Sequence, residues 1–577
     1  MTEKILQRDH RGWEKLPTSW PASLRRVLAA RGILAESDLS YALADLPKPD
    51  LMMGMDAASQ LLAQAVREQW RIMIVADFDT DGATSCAVAL RGLHMLGAQY
   101  LDYIVPNRFV HGYGLTPELV AEIPADNQPD LLVTVDNGIA SIQGVTAAHD
   151  RGMKVLVTDH HLPGDKLPDA DAIINPNQRG DKFPSKNMAG VGVCFYLLLA
   201  LRQQLRAQGW FEQQQISEPK LHTLLDLVAL GTVADVVPLD KLNRTLVNLG
   251  LARIRAGRAC AGINALIQVA GREFTHLASQ DMGFSIAPRL NAAGRLEDMG
   301  MGIEALLMDD MTQALSAAHT LDDINKQRRD VEQEMQAQAL TMLDRISLQD
   351  GQAALGYCLF DPDWHQGVIG LLASRIKEKQ HRPVIAFARG NEGEVKGSAR
   401  SIPGVHIRDV LALVASQAPA GMLTRFGGHA MAAGLTLDAD HLPLFERLFL
   451  DALKQTVDPA VLQQAIISDG ELEADEISLP LAELLPTAAP WGQGFSEPLF
   501  HGTFVVDSVR SVGQQQDHLR LMLGLDNNQQ ITAMAFRHYQ PDWLKQGDRV
   551  TVCYRLAVNE FRQQRSVQMI VDTLLPA

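Results

Sequence analysis

"RIMIVADFDTDGATSCAVALRGLHMLG", residues 71–97, is the stretch that decides the fold. An apolar run of strand character, RIMIVA, leads into Asp77, Asp79 and Asp81 and then into a helix-like segment, TSCAVALRGLHMLG. The same rhythm returns twice. LLVTV (131–135) is followed by Asp136-Asn137-Gly138 and by SIQGVTAAHDRG, and KVLVT (154–158) by Asp159-His160-His161. Buried strands alternating with amphipathic stretches from about 70 to 240 predict an α/β fold with a parallel, doubly wound sheet. In such sheets ligands sit beyond the carboxyl ends of the strands, and all three acid clusters fall there.

No Lys or Arg lies between Val75 and Ser85. Three carboxylates held that close repel one another, more so when desolvated, and divalent cations relieve the repulsion best. Asp235, in GTVADVVPL (231–239), joins the candidate set. Mostly oxygen donors with one or two imidazoles suit Mg²⁺ or Mn²⁺, and a set without cysteine disfavours structural zinc. Two ions sharing a carboxylate are the usual arrangement for displacement at phosphorus. Each piece alone has a plainer meaning: D-x-D as a solvated turn or helix cap, DNG as a turn, DHH as a polar strand end. Their recurrence at equivalent places in successive βα units is what favours a metal site.

The chain has 577 residues, too many for one core, and implies three or four domains. With 46% hydrophobic and 21% charged residues it reads as globular. The longest apolar run, GVGVCFYLLLAL from Gly190, is short of the ~20 residues of a membrane span. A charged N-terminus without an apolar signal core, and five scattered cysteines without a CxxC pair, lead us to expect a cytoplasmic protein. The net charge of −16 is uneven: nine acids against Lys454 between 451 and 500 supply half of it. It therefore does not exclude a polyanionic substrate.

Residues 1–50 carry no assignable role, and 51–302 form the expected catalytic domain. From Ile303 to Asp350 there is no Gly or Pro, which predicts one long connecting helix over 303–350. A second α/β domain, 351–455, has strand candidates YCLF, PVIAFA and AAGLTL. Residues 456–577 read as an acidic linker, solvated around 469–476, followed by five short strands. These are GTFVVDSVRSV, HLRLMLGLD, QQITAMAF, DRVTVCYRLAV and SVQMIVDTLL, the pattern of a small barrel of oligonucleotide-binding type.

VADFDTDG, VDNG, TDHH and GTVADVVPL resemble, in order and wording, the motifs of the DHH phosphoesterase superfamily. GSAR (397–400) and RFGGHAMAAG (425–434) are similar to its associated C-terminal domain. PNRF (106–109), PRLNAAGR (288–295) and the barrel extend the likeness, over about 70–577, to the superfamily's 5′→3′ exonucleases specific for single-stranded DNA. The resemblance implies that Asp77, Asp79, Asp81, Asp136, His160 and Asp235 ligate two Mn²⁺ or Mg²⁺ ions, with Asp136 bridging. Relatives with smaller substrates often place a histidine a few residues before D-x-D, which leaves direct ligation by Asp77 open. His161 would contact the scissile phosphate or leaving group, and Asp159 would orient a histidine.

Substrate contacts are implied for Arg108, Arg289, Asn291, Arg295, Ser398 and Arg400, since Arg forks match phosphates. Gly427 and Gly428, before an Ala-rich, helix-prone run, would bring backbone N–H groups to a phosphate, with His429 adding a donor. Trp364 and His365 precede a glycine and an apolar helix, and Trp364 reads equally as a base-stacking platform or as core. A cleft between two domains would admit one strand and exclude a duplex. Arg510, Arg520, Arg537, Arg549, Arg555, Arg562 and Arg565 of the barrel would hold the strand upstream. The implied activity releases mononucleotides from the 5′ end in repair and recombination, alongside a single-strand-binding protein and a helicase. Two other classes compete. Hydrolysis of pyrophosphate, cyclic dinucleotides or very short oligonucleotides needs no ~75-residue strand-holding module. A non-catalytic single-strand-binding replication factor would be expected to lose ligands, and none is missing.

Overall fold

The computed structural model describes residues 4–577 except 351–353, 392, 514–515, 528 and 563. Two compact units are present: Gln7–Asp322 with Ile467–Ala577, and Met1–Leu6 with Asp323–Ile466.

The first unit is built on five parallel strands, β1 (Ile72–Ala76), β2 (Leu101–Ile104), β3 (Leu131–Val135), β4 (Lys154–Thr158) and β5 (Ala172–Ile174). They lie in the order β2-β1-β3-β4-β5. Every residue of β1 and β3 is buried, because helices cover both faces, and this is why these strands read as continuous apolar runs. The order reverses between β1 and β3, and that switch point is where an open α/β sheet leaves a crevice for a ligand. The loops carrying Asp77–Asp81 and Asp136 flank it.

Helix α1 (Thr80–Met95) starts inside the first acid motif, with the Asp79 side chain accepting from the Gly82 N–H at 3.0 Å as its cap. The apolar run from Gly190 forms the buried helix α2 (Gly190–Ala207), and α3 (Leu225–Ala234) ends at Asp235. Among the described residues no helix is long and apolar enough to cross a membrane. The C-terminal strands close as expected into a barrel, β11 (Phe500–Val512), β12 (His518–Gly524), β13 (Gln530–Ala535), β14 (Arg549–Phe561) and β15 (Gln564–Pro576), around buried Leu519, Leu521, Ala533, Val550 and Val552.

The second unit holds β6 (Tyr357–Phe360), β7 (Val384–Arg389), β8 (Glu394–Arg400), β9 (Leu423–Gly428) and β10 (Ala432–Asp438) in the order β9-β10-β8-β7-β6. Within this sheet β6 and β7 pair in parallel and the other neighbours are antiparallel.

Three expectations are corrected. The 303–350 helix is broken: α4 spans Gly300–Leu307, Met308 is extended, and α5 (Met311–Asp350) begins where Asp310 Oδ1 accepts from the Gln313 N–H at 2.9 Å. The Ala-rich run after Gly428 is not helical, because Ala432–Asp438 pairs with β8 as a strand. The stretch around 469–476 is not uniformly solvated. Asp469 is buried and takes a two-pronged ion pair from Arg31, at 2.7 and 2.9 Å, and Glu476 pairs with Arg26. Residues 22–31, without a role in the sequence, thus clasp the segment that leads into the barrel.

Candidate metal centre

Four loops deliver the acids to one place. Asp77 and Asp79 follow β1, Asp136 follows β3, His160 and His161 follow β4, and Asp235 caps α3. Donor atoms of Asp77, Asp79 and Asp136 lie within 4.8 Å of one another, as do those of Asp81, His160 and Asp235, and those of Asp136, His160 and His161. All six residues expected as ligands, and His161, are therefore brought together, and Asp136 belongs to two of the groups.

The loops are cut to this geometry. Asp136 has φ 63°, a left-handed conformation that Asp tolerates better than most residues. Gly190 lies so close behind it that a Cβ there would stand 2.5 Å from the Asp136 Cβ and 2.8 Å from its Cα. The N–H groups of Gly190 and Val191, at the start of α2, donate to the two Asp81 carboxylate oxygens at 2.7 and 3.0 Å.

Asp77, Asp81 and Asp136 are 4%, 1% and 1% exposed. Burial pushes all three carboxyls well above the usual carboxylate range, and neighbouring acids add to it: Asp79 for Asp77, Asp235 for Asp81, Asp81 for Asp136. Burial also raises Asp235, with His160 working the other way. The His160 Nε2 lies 3.0 Å from Asp136 Oδ1 and 3.5 Å from Asp235 Oδ2, yet none of these three buried atoms has a hydrogen-bond partner among the described residues. Three buried polar atoms that converge without a hydrogen bond among them make an arrangement a cation can complete. The residues present fit divalent ions.

Asp159 behaves differently. Its Oδ1 accepts from the N–H groups of His160 and His161 and faces His161 Nδ1 at 2.7 Å, while Oδ2 accepts from the Ile139 N–H. Burial opposes its charge, but the bond and charge of His161 outweigh it and hold Asp159 below the usual range. Burial likewise opposes charging of His161, and Asp159 outweighs it, leaving His161 pushed up to about 9. Asp159 orients His161.

Sequence reasoning missed several supports. The Tyr113 hydroxyl donates to the Asp136 carbonyl at 3.0 Å and lies 3.2 Å from His161 Nδ1. Asn175 and Asn177 donate to the carbonyls of His161 and His160. A Tyr set between Gly112 and Gly114 and an Asn-Pro-Asn after β5 were the available signals.

Arg108 lies with its guanidinium 4.3 Å from the Phe78 ring centroid, beside the acid loop. Arg289 is engaged by Asp322 of α5 at 2.8 Å and by the Ser285 carbonyl. Asn291 lies against the acid loop. Its Oδ1 accepts from the Thr80 N–H and hydroxyl at 2.9 and 3.0 Å, so it steadies the acid loop. Arg295 is half-buried in the last turn of the helix Ala287–Leu296.

In the second unit Trp364 is core, 4% exposed, with Nε1 donating to Gln338 at 2.7 Å, which closes the base-stacking alternative. The His365 ring accepts from the Gly367 N–H. Arg400 donates to the Ser398 hydroxyl at 3.0 Å, and a Cβ on Gly370, at the start of α6 (Ile369–Gln380), would reach both. Gly427 stands opposite Gly434, which stands opposite Ser398, and a Cβ on either glycine would meet open space. Gly428 (φ 145°) and His429 close the hairpin through the His429 N–H to Ala432 carbonyl bond. On the barrel, Arg555 is occupied by Asp572 and Glu497 and Arg565 by Glu483, whereas Arg510 and Arg520 face each other across β11 and β12.

Comparison with known proteins adds the following. The N-terminal domain of the DHH family matches residues 71–232, the DHHA1 domain 350–457 and the RecJ OB domain 468–573. The chain is 48% identical to the single-stranded-DNA-specific exonuclease RecJ of Escherichia coli K12 over 97% of both chains. It is 32% identical to that of Bacillus subtilis 168 over 92% of this chain and 64% of the relative. The crystal structure of RecJ in complex with Mn²⁺ from Thermus thermophilus superposes with a TM-score of 0.78 at 29% identity, covering all of this chain and 79% of that one.

Proposed function

The chain belongs to the RecJ family of DHH proteins, and from that premise we infer that it is a metal-dependent exonuclease specific for single-stranded DNA. The observation that carries the chemistry is the convergence of Asp136, His160 and Asp235 atoms, buried and without a hydrogen-bond partner among the described residues, at the switch point of a parallel sheet. Asp77, Asp79, Asp81, Asp136, His160 and Asp235 would hold two ions, Mn²⁺ or Mg²⁺, with Asp136 common to both. Crystal structures of the Thermus thermophilus relative in complex with each ion support that choice. Bound there, the ions would supply Lewis acidity that activates a water and neutralises charge growing on the phosphoryl oxygens.

The rest of the chemistry falls to side chains. His161, held by Asp159 through Nδ1, would hold a non-bridging oxygen or protonate the leaving oxygen. Arg108 would draw the phosphate toward the acid loop. Ser398, Arg400, Gly427, Gly428 and His429 would form a second phosphate grip, reached closely because Gly427 and its neighbour Gly434 leave open space. Arg510 and Arg520 would attract the strand to the barrel, since like charges placed opposite one another are relieved by a polyanion. Mononucleotides would leave from the 5′ end, in the cytoplasm, during repair and recombination with a single-strand-binding protein and a helicase.

The test is a 5′-phosphorylated oligonucleotide of ~40 bases offered single-stranded and as blunt duplex. Early mononucleotides from the 5′ end, with Mn²⁺ or Mg²⁺ and only from the single strand, are expected. An untouched oligonucleotide under conditions where pyrophosphate or a dinucleotide is cleaved would reassign the chain to small substrates.

A further inference from the structure

Asp235 is followed by Val236, at φ 62° and exposed, then Val237 and Pro238. The loop is gripped at Leu239. The Leu239 N–H donates to the Gln493 carbonyl at 2.7 Å, and its own carbonyl accepts from Arg244 Nη1 at 2.9 Å. Gln493 belongs to the segment leading into the barrel. Gly492 packs so tightly there that a Cβ would stand 2.6 Å from Leu239 Cδ1, and one on Gly494 3.3 Å from the Pro238 Cβ.

This contact is made by a stiff turn. Gly492 and Phe495 exchange backbone hydrogen bonds at 2.9 and 3.1 Å. Trp491 and Phe495, both buried, stack at 5.3 Å and 16°. Arg31 lies over the Trp491 ring and Arg244 over the Phe495 ring, 5.3 and 4.4 Å from the centroids. The Trp491 carbonyl accepts from the Ser279 hydroxyl at 2.6 Å and its indole N–H donates to the Leu485 carbonyl at 2.7 Å. Arg31 is itself locked to Asp469. A turn anchored by two buried rings thus ends against a loop whose far end, four residues back, carries a donor of the metal centre.

We propose that residues 491–495, the turn that leads into the barrel, are a positioning element of the metal centre, fixing Asp235 through Leu239. The inference rests on the two-ion reading above and deepens it. The ion held by Asp81, His160 and Asp235 depends on this turn, and the ion held by Asp77, Asp79 and Asp136 does not.

The test uses full-length protein and Mn²⁺ alone, followed by calorimetry and by the Mn²⁺ paramagnetic resonance signal. Gly492→Ala, driven into Leu239, weakens one of two bound ions by about 10-fold, the lower end for partners behind a ligand, and leaves the other unchanged. Adding Leu239→Ala, which removes the clashing Cδ1, returns the affinity toward that of the native chain. Arg244→Lys, which loosens both the Leu239 carbonyl and the Phe495 ring, gives the same one-site loss and serves if Gly492→Ala does not fold. Equal two-ion binding in every variant, or equal weakening of both ions, overturns the proposal. A native chain that binds no Mn²⁺ overturns the two-ion reading beneath it instead.

Discussion

At the carboxyl ends of β1, β3 and β4 the functional side chains are ionisable, and Asp77, Asp136 and Asp159 among them are buried. Burial and mutual repulsion push Asp77, Asp81 and Asp136 well up from their ordinary range. In the second unit, the candidate phosphate grip shows the opposite design: Gly427 and Gly434 present bare backbone with open space before them, beside Ser398 and Arg400. The first region concentrates acids whose mutual repulsion a divalent cation would relieve. The second, on the proposed reading, would create affinity by leaving out side chains so that backbone donors could come close. Folding stability therefore opposes function in the first region, where the acids destabilise the ion-free chain, and is nearly indifferent to it in the second.

The largest effect that tests this contrast comes from Asp136→Asn. Hydrolysis falls by more than about 100-fold, beyond the ~10–100-fold typical of groups one step behind a ligand. The ion-free protein melts at a higher temperature, because a buried, repelled carboxyl has become neutral. Activity assay and calorimetry moving in opposite directions sharpen the comparison; both falling together would break it.

Next is Gly190→Ala, whose Cβ would stand 2.8 Å from the Asp136 backbone. Melting temperature and Mn²⁺ affinity both drop, since α2 and the Asp136 loop cannot both keep their places. Gly427→Ala, by contrast, leaves the melting temperature and Mn²⁺ binding unchanged and raises KM for the single strand several-fold. An unchanged KM would remove Gly427 from the grip.

The smallest effect concerns pH. His161 is raised from its ordinary value to about 9 by Asp159, against the effect of burial. A raised histidine contributes stability fully present below its unfolded value, near 6.5, and lost as pH rises through about 9. The stability difference between the native chain and Asp159→Asn, both ion-free, therefore shrinks over that window. A difference constant from about pH 6 to about pH 10 would contradict the pairing.

Much of this was legible in the sequence because β strands buried on both faces and acids at their ends leave a repeated pattern: RIMIVA, LLVTV and KVLVT all became strands, and every expected ligand reached the centre. What was not legible depends on partners remote in the chain. The ion pair of Arg289 with Asp322 has no local signature. Asn291 likewise gave no sign that it would cap the Thr80 turn. The alanines after Gly428 have helix propensity, and pairing with β8 overrode it. The helix break at Met308 was hidden because an aspartate, not a glycine or proline, restarts the helix. Residues 22–31 carried no motif at all, since an ion pair between Arg31 and Asp469 has no signature in either segment.

The central claim is that the buried acids form a cage for two ions, and anomalous scattering at the manganese edge from crystals grown with Mn²⁺ tests it most directly. Two peaks roughly 3.5–4 Å apart are expected, one bounded by Asp77, Asp79 and Asp136 and the other by Asp81, His160 and Asp235, with Asp136 between them. A single peak, or peaks away from these side chains, would contradict it.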